Sequence, residues 1–381
     1  MIYVMKSGFV IKIMIWAAVM FAVCASASRA AVKKAMIPDS GIHDLIEHNY
    51  AAACDVKGQK GLKCGRGGVG ADTSRYTTGA VATLTREAKL KFPARELVLT
   101  WNADVPAGAW LEIRFRVRGP GNGWSGWYEM GSWWRSEQGK RFTKDPVYGK
   151  LHVDELKADA DFDRVQYSIS FNTVTPGVSP VLRRVWLSVS RPAAKDETIE
   201  VTAPAGARQV KLNVPWMSQL LVEHVGDEEL VERGVCAATS VTMVMNSEGA
   251  HTTISETARR AYDPVADLYG NWAFLVAAAG DKGFNARVQR FRDWHGVRRL
   301  VESGAPVIIS IAYEKGTMSA EPDRRSDGHL IVVIGFTKDG DVIVNDPGTR
   351  FEDRGRGYVY PWQELAIAFF GHGGVGIVIS K

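Results

Sequence analysis

The sequence predicts an antiparallel β-sandwich domain followed by an α+β domain. Residues from about 80 to 190 contain short runs that alternate apolar and polar side chains between Gly and Pro residues, a pattern typical of antiparallel strands. Further along the chain, helical patterns come first, most clearly over residues 253–261 and 271–282, and β-branched runs follow, as in an α+β domain. The 381 residues are enough for both domains. We expect the sandwich over residues 31–190 and the α+β domain over residues 211–381.

One strand of the first domain alternates without a break. Its apolar positions are Leu111, Ile113, Phe115 and Val117, and its charged positions are Glu112, Arg114, Arg116 and Arg118. This strand should bury one face and expose the other. Residues 44–53 predict a short helix. Residues 191–210 are rich in Ala, Pro and charge without an apolar period, so they predict a linker between two separate cores.

The first 30 residues have the parts of a secretory signal peptide. Lys6 and Lys12 precede an uncharged apolar run over residues 13–23, and small residues follow at 25–27. The run is well short of the roughly 20 residues that span a bilayer, and no other stretch is long and apolar enough. We therefore expect an exported protein, periplasmic or extracellular, without a transmembrane segment in the mature chain.

The four cysteines fit export. Cys24 would leave with the signal peptide. Cys54 and Cys64 are close in sequence, and a disulfide between them suits an exported protein. Cys236 then has no partner, and an odd cysteine in such a chain is either a reactive thiol or an intermolecular link.

The predicted sandwich is rich in tryptophan: Trp101, Trp110, Trp124, Trp127, Trp133, Trp134 and Trp186. Exposed rings on such domains can bind sugars, whereas most large aromatic side chains belong to the core. Trp110 lies on the charged face of its strand and is the best candidate for an exposed ring. A glycan is therefore a possible partner of this domain.

Cys236 follows Gly234 and precedes apolar residues at Val241, Val244 and Met245, a spacing that fits one face of a helix. The cysteine is thus predicted at a helix N-terminus, where the free N–H groups stabilise a thiolate. The alternative is a buried structural cysteine before a core helix.

Two β-branched runs, residues 327–336 and 341–348, flank a turn signal and predict a hairpin. If Phe336 pairs with Asp341, His329 and Asp346 become diagonal neighbours within side-chain reach. Asn345 would point to the other face, and a slip of one residue would exchange Asn345 for Asp346. A cysteine at a helix start and a histidine backed by a carboxylate are the parts of a thiol acyl-transfer site.

From about Val214 onward the chain resembles the papain-like bacteriocin-processing (double-glycine) cysteine peptidases, and most closely their secreted, stand-alone relatives. The matching segments are residues 214–219, Cys236 with Thr239-Ser240, residues 269–272, Gly328-His329 and residues 345–347. The resemblance implies a papain-like fold, a triad of Cys236, His329 and Asp346, and Gln219 in the oxyanion hole. Residues 100–110 resemble the N-terminal module often joined to such peptidases. The family often has Cys-Gly-Pro, whereas Ala237-Ala238 follow the cysteine here.

These observations predict a cysteine peptidase acting on a peptide or protein. Trp272 lines the substrate groove or belongs to the core. Related acyl transfer, or cleavage of a cell-wall peptide, would use the same residues, and a non-catalytic glycan-binding protein is the alternative of another class. The net charge of +5 is scattered and does not indicate nucleic acid, the histidines lack metal-ligand spacing, and no cofactor is expected.

Overall fold

The structure, a computed structural model, describes residues 34–65, 67–75, 79–133, 144–194, 197–204, 209–221, 228–319 and 323–381. The predicted signal peptide, residues 1–30, lies outside them, as does Trp134. Within these ranges no helix is both long enough and apolar enough to cross a bilayer.

The first unit consists of strands. They are β1 (Lys34–Pro38), β2 (Ile42–Asn49), β3 (Leu62–Gly65), β4 (Gly68–Ala71), β5 (Gly79–Asp104), β6 (Ala109–Arg118), β7 (Tyr128–Trp133), β8 (Lys144–Asp145), β9 (Gly149–His152), β10 (Glu155–Thr173) and β11 (Val181–Arg191). Of these, β2 to β11 form one antiparallel sheet with the central order β3-β4-β11-β5-β10-β6-β7.

The two longest strands fold this sheet into the predicted sandwich. The first part of β5 pairs with the second part of β10, and the last part of β5 pairs with β11. Register shifts on either side of Phe162 interrupt the β5–β10 ladder, and such irregularities bend a strand. The alternation predicted for β6 is confirmed, since all four of its apolar side chains are fully buried.

The predicted helix over residues 44–53 is wrong. Residues 42–49 instead form β2, which pairs along its whole length with β11. A short segment of mixed propensity adopts the conformation that satisfies a neighbouring strand edge, because backbone pairing outweighs a weak local preference.

The stretch predicted as a linker contains two strands, β12 (Thr198–Thr202) and β13 (Val210–Lys211). β12 pairs with β1 in a two-stranded ribbon, and β13 adds to the sheet of the second unit. Ile37 and Val201 of the ribbon are buried in the same cluster as Trp294 and Val297. The ribbon therefore packs on the second unit, although β1 lies within the range predicted for the sandwich.

The second unit has helices α1 (Glu228–Arg233), α2 (Cys236–Ser247), α3 (Ile254–Arg260), α4 (Trp272–Asp281), α5 (Trp294–Glu302), α6 (Glu352–Gly355) and α7 (Trp362–Phe370). Its further strands are β14 (Asn285–Arg290), β15 (Val307–Tyr313), β16 (Ser326–Phe336), β17 (Val342–Asn345), β18 (Tyr358–Tyr360) and β19 (Val375–Ser380). The antiparallel sheet runs in the order β14-β19-β15-β16-β17-β18, with β13 beside β16. The predicted α+β class is confirmed.

The two predicted helices near residues 253–261 and 271–282 are also present. Thr253 and Asn271 cap them, because each side chain accepts a hydrogen bond from a backbone N–H in the first turn. Both caps are visible in the sequence, which explains why these two helices could be predicted.

The two units share one hydrophobic core, in contrast to the two separate cores expected from the sequence. The ring of Phe274 in α4 meets Trp101 and Trp133 of the first unit edge-on, at centroid distances of 6.1 and 5.5 Å. Asn102 is fully buried and its side-chain amide bonds both backbone groups of Ala286 on β14, with Nδ2 donating at 3.0 Å and Oδ1 accepting at 3.3 Å. This boundary is as apolar and as well hydrogen-bonded as a domain interior.

Candidate active site

The first residue of α2 is Cys236, which is partly exposed and forms no disulfide. Gly234 adopts a φ of 72°, a conformation that favours glycine, and so turns the chain into the helix. The N-cap residue, Val235, has no side chain that can accept a hydrogen bond from the first turn. The N–H groups and the positive end of the helix dipole therefore remain directed at the sulfur.

The helix packs directly on the strand that carries His329. Ser240, one turn after Cys236, is fully buried, and its hydroxyl donates to the carbonyl of Leu330 at 3.0 Å. Leu330 follows His329 on β16. This bond fixes the helix start next to the histidine.

The three residues of the expected triad lie side by side. His329 Nε2 lies 2.7 Å from Asp346 Oδ1, and both side chains are buried. The thiol of Cys236 is close enough to the imidazole for each group to shift the pKa of the other. Because Nε2 is used by the aspartate, Nδ1 is the ring nitrogen left for the sulfur.

The charges of the three groups support one another. Burial raises the pKa of Cys236, but the neighbouring His329 outweighs it, so that the pKa is lowered overall. Burial lowers the pKa of His329, yet the Asp346 carboxylate brings it up to about 10. Burial likewise raises the pKa of Asp346, and the imidazolium reverses the effect. The lowered pKa of Cys236 and the raised pKa of His329 both favour the thiolate–imidazolium pair over the neutral pair, beside an ionised aspartate.

Further groups hold Asp346 in place. Its Oδ1 also accepts from the Gly348 N–H at 2.7 Å, and its Oδ2 accepts from the Tyr360 hydroxyl at 3.2 Å. The indole N–H of Trp216 donates to the Asp346 backbone carbonyl at 2.7 Å. Sequence reasoning did not identify Tyr360 or Trp216 as site residues, since Tyr360 lies on a three-residue strand without a readable pattern.

The hairpin differs in register from the prediction near its turn. Phe336 pairs with Val342 and not with Asp341, so this part of the prediction is wrong. A bulge between Val333 and Gly335 then shifts the pairing by one residue, and Val332 lies opposite Asn345. The register at the site is consequently the one that brings Asp346 to His329.

Asn345 points away from the histidine. It is fully buried, its Nδ2 donates to the Val214 carbonyl at 3.0 Å, and its Oδ1 accepts from the Gly357 N–H at 2.9 Å. Its hydrogen bonds join the strand to neighbouring segments. Asp346, not Asn345, contacts His329.

Gln219 borders the loop that follows Asp346. Its backbone N–H donates to the Pro347 carbonyl at 3.0 Å, and the hydroxyl of Ser218 donates to the Thr349 carbonyl at 2.6 Å. The side-chain Oε1 is buried without a hydrogen-bond partner among the described residues. A buried acceptor without a hydrogen bond lowers the free energy of unfolding by about 1–3 kcal/mol. Stability therefore does not explain why Gln219 occupies this position.

Trp272 begins α4 and is partly buried against the shared core. The next residue, Ala273, donates its N–H to Oδ2 of Asp154 in the first unit at 3.1 Å. This end of the helix thus faces the first unit, and a role of Trp272 in a substrate groove stays a prediction.

Cys54 and Cys64 are joined by a disulfide. Within the described part of the chain, no group of His, Cys, Asp and Glu side chains is arranged to hold a metal ion.

An α+β domain with a cysteine at a helix start, facing a histidine on an antiparallel sheet, is an arrangement of thiol acyl-transfer enzymes, to which cysteine peptidases belong. Residues 211–370 match the Peptidase C39 like family, and residues 52–190 match the Peptidase C39 N-terminal domain. The second unit, over residues 211–370, therefore belongs to the C39-like peptidase family, and the N-terminal domain of C39 peptidases precedes it. The family expected from the sequence is thereby confirmed, and the match supports a function of cysteine-peptidase type with a peptide substrate.

A crystal structure of a Bacillus anthracis protein, described as a C39-like peptidase, is similar to part of this chain. The alignment covers 45% of this chain and 98% of the other, with 17% identity and a TM-score of 0.34. Among curated proteins, none has a significant match to this sequence.

Proposed function

We propose that this protein is an exported cysteine peptidase in which Cys236 is the nucleophile, His329 the proton donor and acceptor, and Asp346 the residue that orients the imidazole. The observation that carries the proposal is the buried His329–Asp346 pair, with 2.7 Å between Nε2 and Oδ1, beside the free thiol of Cys236, whose pKa the imidazole lowers. A structural cysteine would need neither partner.

The reaction follows from this arrangement. The Cys236 thiolate adds to the substrate carbonyl and forms the C–S bond. As the C–N bond breaks, His329 transfers its Nδ1 proton to the leaving amine, and a thioester remains. The neutral imidazole then takes a proton from water, the resulting hydroxide adds to the thioester, and the carboxylate product leaves as the thiolate is restored.

The developing oxyanion needs donors near the sulfur. The backbone N–H of Cys236 at the helix start and the side-chain amide of Gln219 are the candidates, and one such donor is typically worth about 3–4 kcal/mol. The place of Gln219 beside the loop that follows Asp346 supports this role, since its backbone N–H donates to the Pro347 carbonyl at 3.0 Å.

Export is part of the proposal. The n-region, apolar run and small residues of the first 30 positions support it, and so does the disulfide between Cys54 and Cys64. N-terminal sequencing of the protein recovered outside the cytoplasm should find a mature chain that begins shortly after Ala27 or Ala30. Recovery of the full-length chain from the cytoplasm alone would contradict export.

The decisive experiment measures hydrolysis and thiol reactivity together. The mature protein, Cys236→Ala and His329→Ala are incubated with a peptide library, and cleavage is followed by mass spectrometry. Alkylation of Cys236 by iodoacetamide is timed from pH 5 to pH 10, against a model thiol. We expect cleavage by the unmodified protein only, fast alkylation at neutral pH, and alkylation at the model rate in His329→Ala.

If Cys236→Ala keeps hydrolysis and Cys236 reacts no faster than a model thiol, the peptidase proposal fails. A protein that then binds glycans through its first unit would be the remaining interpretation. Folding of each variant is checked by its far-ultraviolet circular dichroism, since His329 is buried.

A further inference from the structure

Five side chains form an alternating stack on the outer face of the first unit. In order they are Arg114, Trp127, Arg116, Trp124 and Arg118, and all are partly exposed. The guanidinium carbons lie between 4.6 and 5.1 Å from the indole centroids. We call this stack the arginine–tryptophan ladder.

The ladder brings three positive charges together and leaves them only partly neutralised. Glu129 lies opposite Arg114 on the paired strand β7 and interacts with its charge, and the charge of Glu87 acts on Arg116. Among the described residues, no carboxylate lies within salt-bridge distance of the three guanidinium groups. Glu87, on the same face, pairs instead with Arg164 at 2.8 Å, and Glu112 accepts from the Trp110 indole at 3.2 Å. Burial, together with the charge of Arg114, lowers the pKa of Arg116. An anion bound along the ladder would relieve this repulsion.

Stacking leaves the edges of the guanidinium groups available. The indoles cover the faces, while the N–H groups at the edges are the part of arginine that binds phosphate in bidentate fashion. Among the residues that the structure describes, only the Arg116 Nε is used; it donates to Gln166 at 2.8 Å and so fixes the plane of that group. The guanidinium groups in turn cover the faces of Trp124 and Trp127, so these two indoles do not offer open faces to a sugar ring.

The spacing of the charges suits a linear polymer. Arg114, Arg116 and Arg118 follow one another at every second position of β6, so their backbones are spaced at about 6.6–6.8 Å. We propose that the arginine–tryptophan ladder binds an extended phosphodiester polymer of the polyol phosphate type, with one phosphate for each arginine. The choice of a polyol phosphate over a nucleic acid rests on the proposed export; the binding itself does not depend on Cys236.

The test measures binding of a short glycerol phosphate oligomer by titration calorimetry, with oligo(dT), hyaluronan and neutral dextran as competitors. The ladder variant carries Arg114→Gln, Arg116→Gln and Arg118→Gln. The charge-matched control carries Lys34→Gln, Lys63→Gln and Lys91→Gln, three exposed lysines that lie outside the ladder. We expect at least a tenfold rise in Kd in the ladder variant and little change in the control.

Salt dependence supplies a second readout. The slope of log Kd against log salt should fall by about 0.7 for each arginine removed, the value for single-stranded polyanions. If the ladder variant does not fold, the unmodified protein still tests the proposal. The oligomer should protect Arg114, Arg116 and Arg118 from phenylglyoxal, as followed by peptide mass spectrometry.

Several outcomes would overturn the proposal. They are no binding by the unmodified protein, equal binding by the ladder variant, or no protection of the three arginines. Binding of oligo(dT) alone would assign the ladder to nucleic acid, binding of hyaluronan alone to carboxylate polymers, and binding of dextran to neutral sugars.

Discussion

Tyr360 places a hydroxyl on the carboxylate oxygen of Asp346 that does not face the histidine. A donor to an ionised carboxylate lowers its pKa, so Tyr360→Phe should raise the pKa of Asp346 and weaken its hold on the imidazolium. The pKa of His329, now about 10, should fall. We expect kcat/KM to drop by about tenfold, the equivalent of ~1.4 kcal/mol. The alkaline limb of its pH profile should also move to lower pH.

Tyr358→Phe is the matched control, since its ring contacts that of Tyr360 at a centroid distance of 5.0 Å on the same strand. Tyr358→Phe should leave the pH profile of kcat/KM unchanged. A Tyr360→Phe protein with a lower Tm but an unchanged alkaline limb would show that the hydroxyl is structural only.

The residues of the site were predictable to different degrees. Cys236 begins a helix and His329 lies within the strand β16, and the glycine before the helix and the β-branched run after the histidine are local signals. The contacts of Tyr360 and Trp216 with Asp346 span 14 and 130 positions of the chain. A periodic pattern in the sequence does not indicate contacts between residues so far apart in the chain.

At the scale of elements, α6 positions the loop of Asp346, because Gly355 at the end of this helix packs closely against Trp216 and bonds the Asp346 backbone. The Gly355 carbonyl accepts from the Asp346 N–H at 2.8 Å, and a methyl group on Gly355 would lie 2.2 Å from Trp216 Nε1. Gly355→Ala must therefore displace the indole or the loop. We expect a large loss of kcat/KM with retained secondary structure, measured by kinetics and circular dichroism.

Gly270→Ala is a suitable control in the same unit, because its added methyl group meets only a leucine side chain at 3.7 Å. It should keep most of the activity. Equal activity of the two variants would mean that the contact between Trp216 and Asp346 does not position the aspartate.

Helices and strands that carry a cap or an alternating pattern in their own residues were predicted well. Strands that form only because a distant strand pairs with them were predicted less well. The helices capped by Thr253 and Asn271 and the alternating strand β6 follow from their residues alone. β2 and β12 depend on partners elsewhere in the chain, namely β11 and β1. The bulge in the hairpin also escaped prediction, because the turn signal fixes neither the number of turn residues nor the pairing beyond it.

At the scale of the whole molecule, the shared core makes the peptidase unit dependent on the first unit. A chain beginning at Pro204 would leave Phe274 and the rest of α4 without Trp101 and Trp133. We expect this truncated chain to be insoluble or to melt without cooperativity. The full mature chain should show a single transition by both near-ultraviolet circular dichroism and thiol exposure.

Trp101→Ala tests the same coupling without truncation. Truncation of a buried aromatic residue costs about 3–5 kcal/mol, and here the loss should lower the stability of both units together. Two separate transitions in the unmodified chain, or a soluble and cooperative truncated chain, would show that the cores are independent.

Asp154 makes the junction sensitive to pH. This buried carboxyl of the first unit accepts from the N–H groups at the start of α4, and burial raises its pKa to about 7. Its folded pKa lies above the unfolded value, near 3.9. The stability that it contributes is thus fully present below about pH 4 and is lost as the pH rises to about 7. Urea melts between pH 5 and 7.5 should show this decline in the unmodified protein.

Asp154→Asn keeps an acceptor for the helix but cannot titrate, so its urea midpoint should vary less with pH over the same range. Asp104→Asn, at an exposed carboxylate of the first unit that pairs with Arg183, serves as the comparison. If both variants keep the slope of the unmodified protein, another group accounts for the pH dependence.

The buried amide of Asn102 has a consequence for association between molecules. β14 is the outermost strand of its sheet, and an open strand edge invites pairing with other chains. Asn102, 184 positions earlier in the chain, occupies both backbone groups of Ala286 there. In the folded protein the first unit therefore covers part of the edge along which two copies of the peptidase sheet would otherwise join, and it protects that sheet from aggregation.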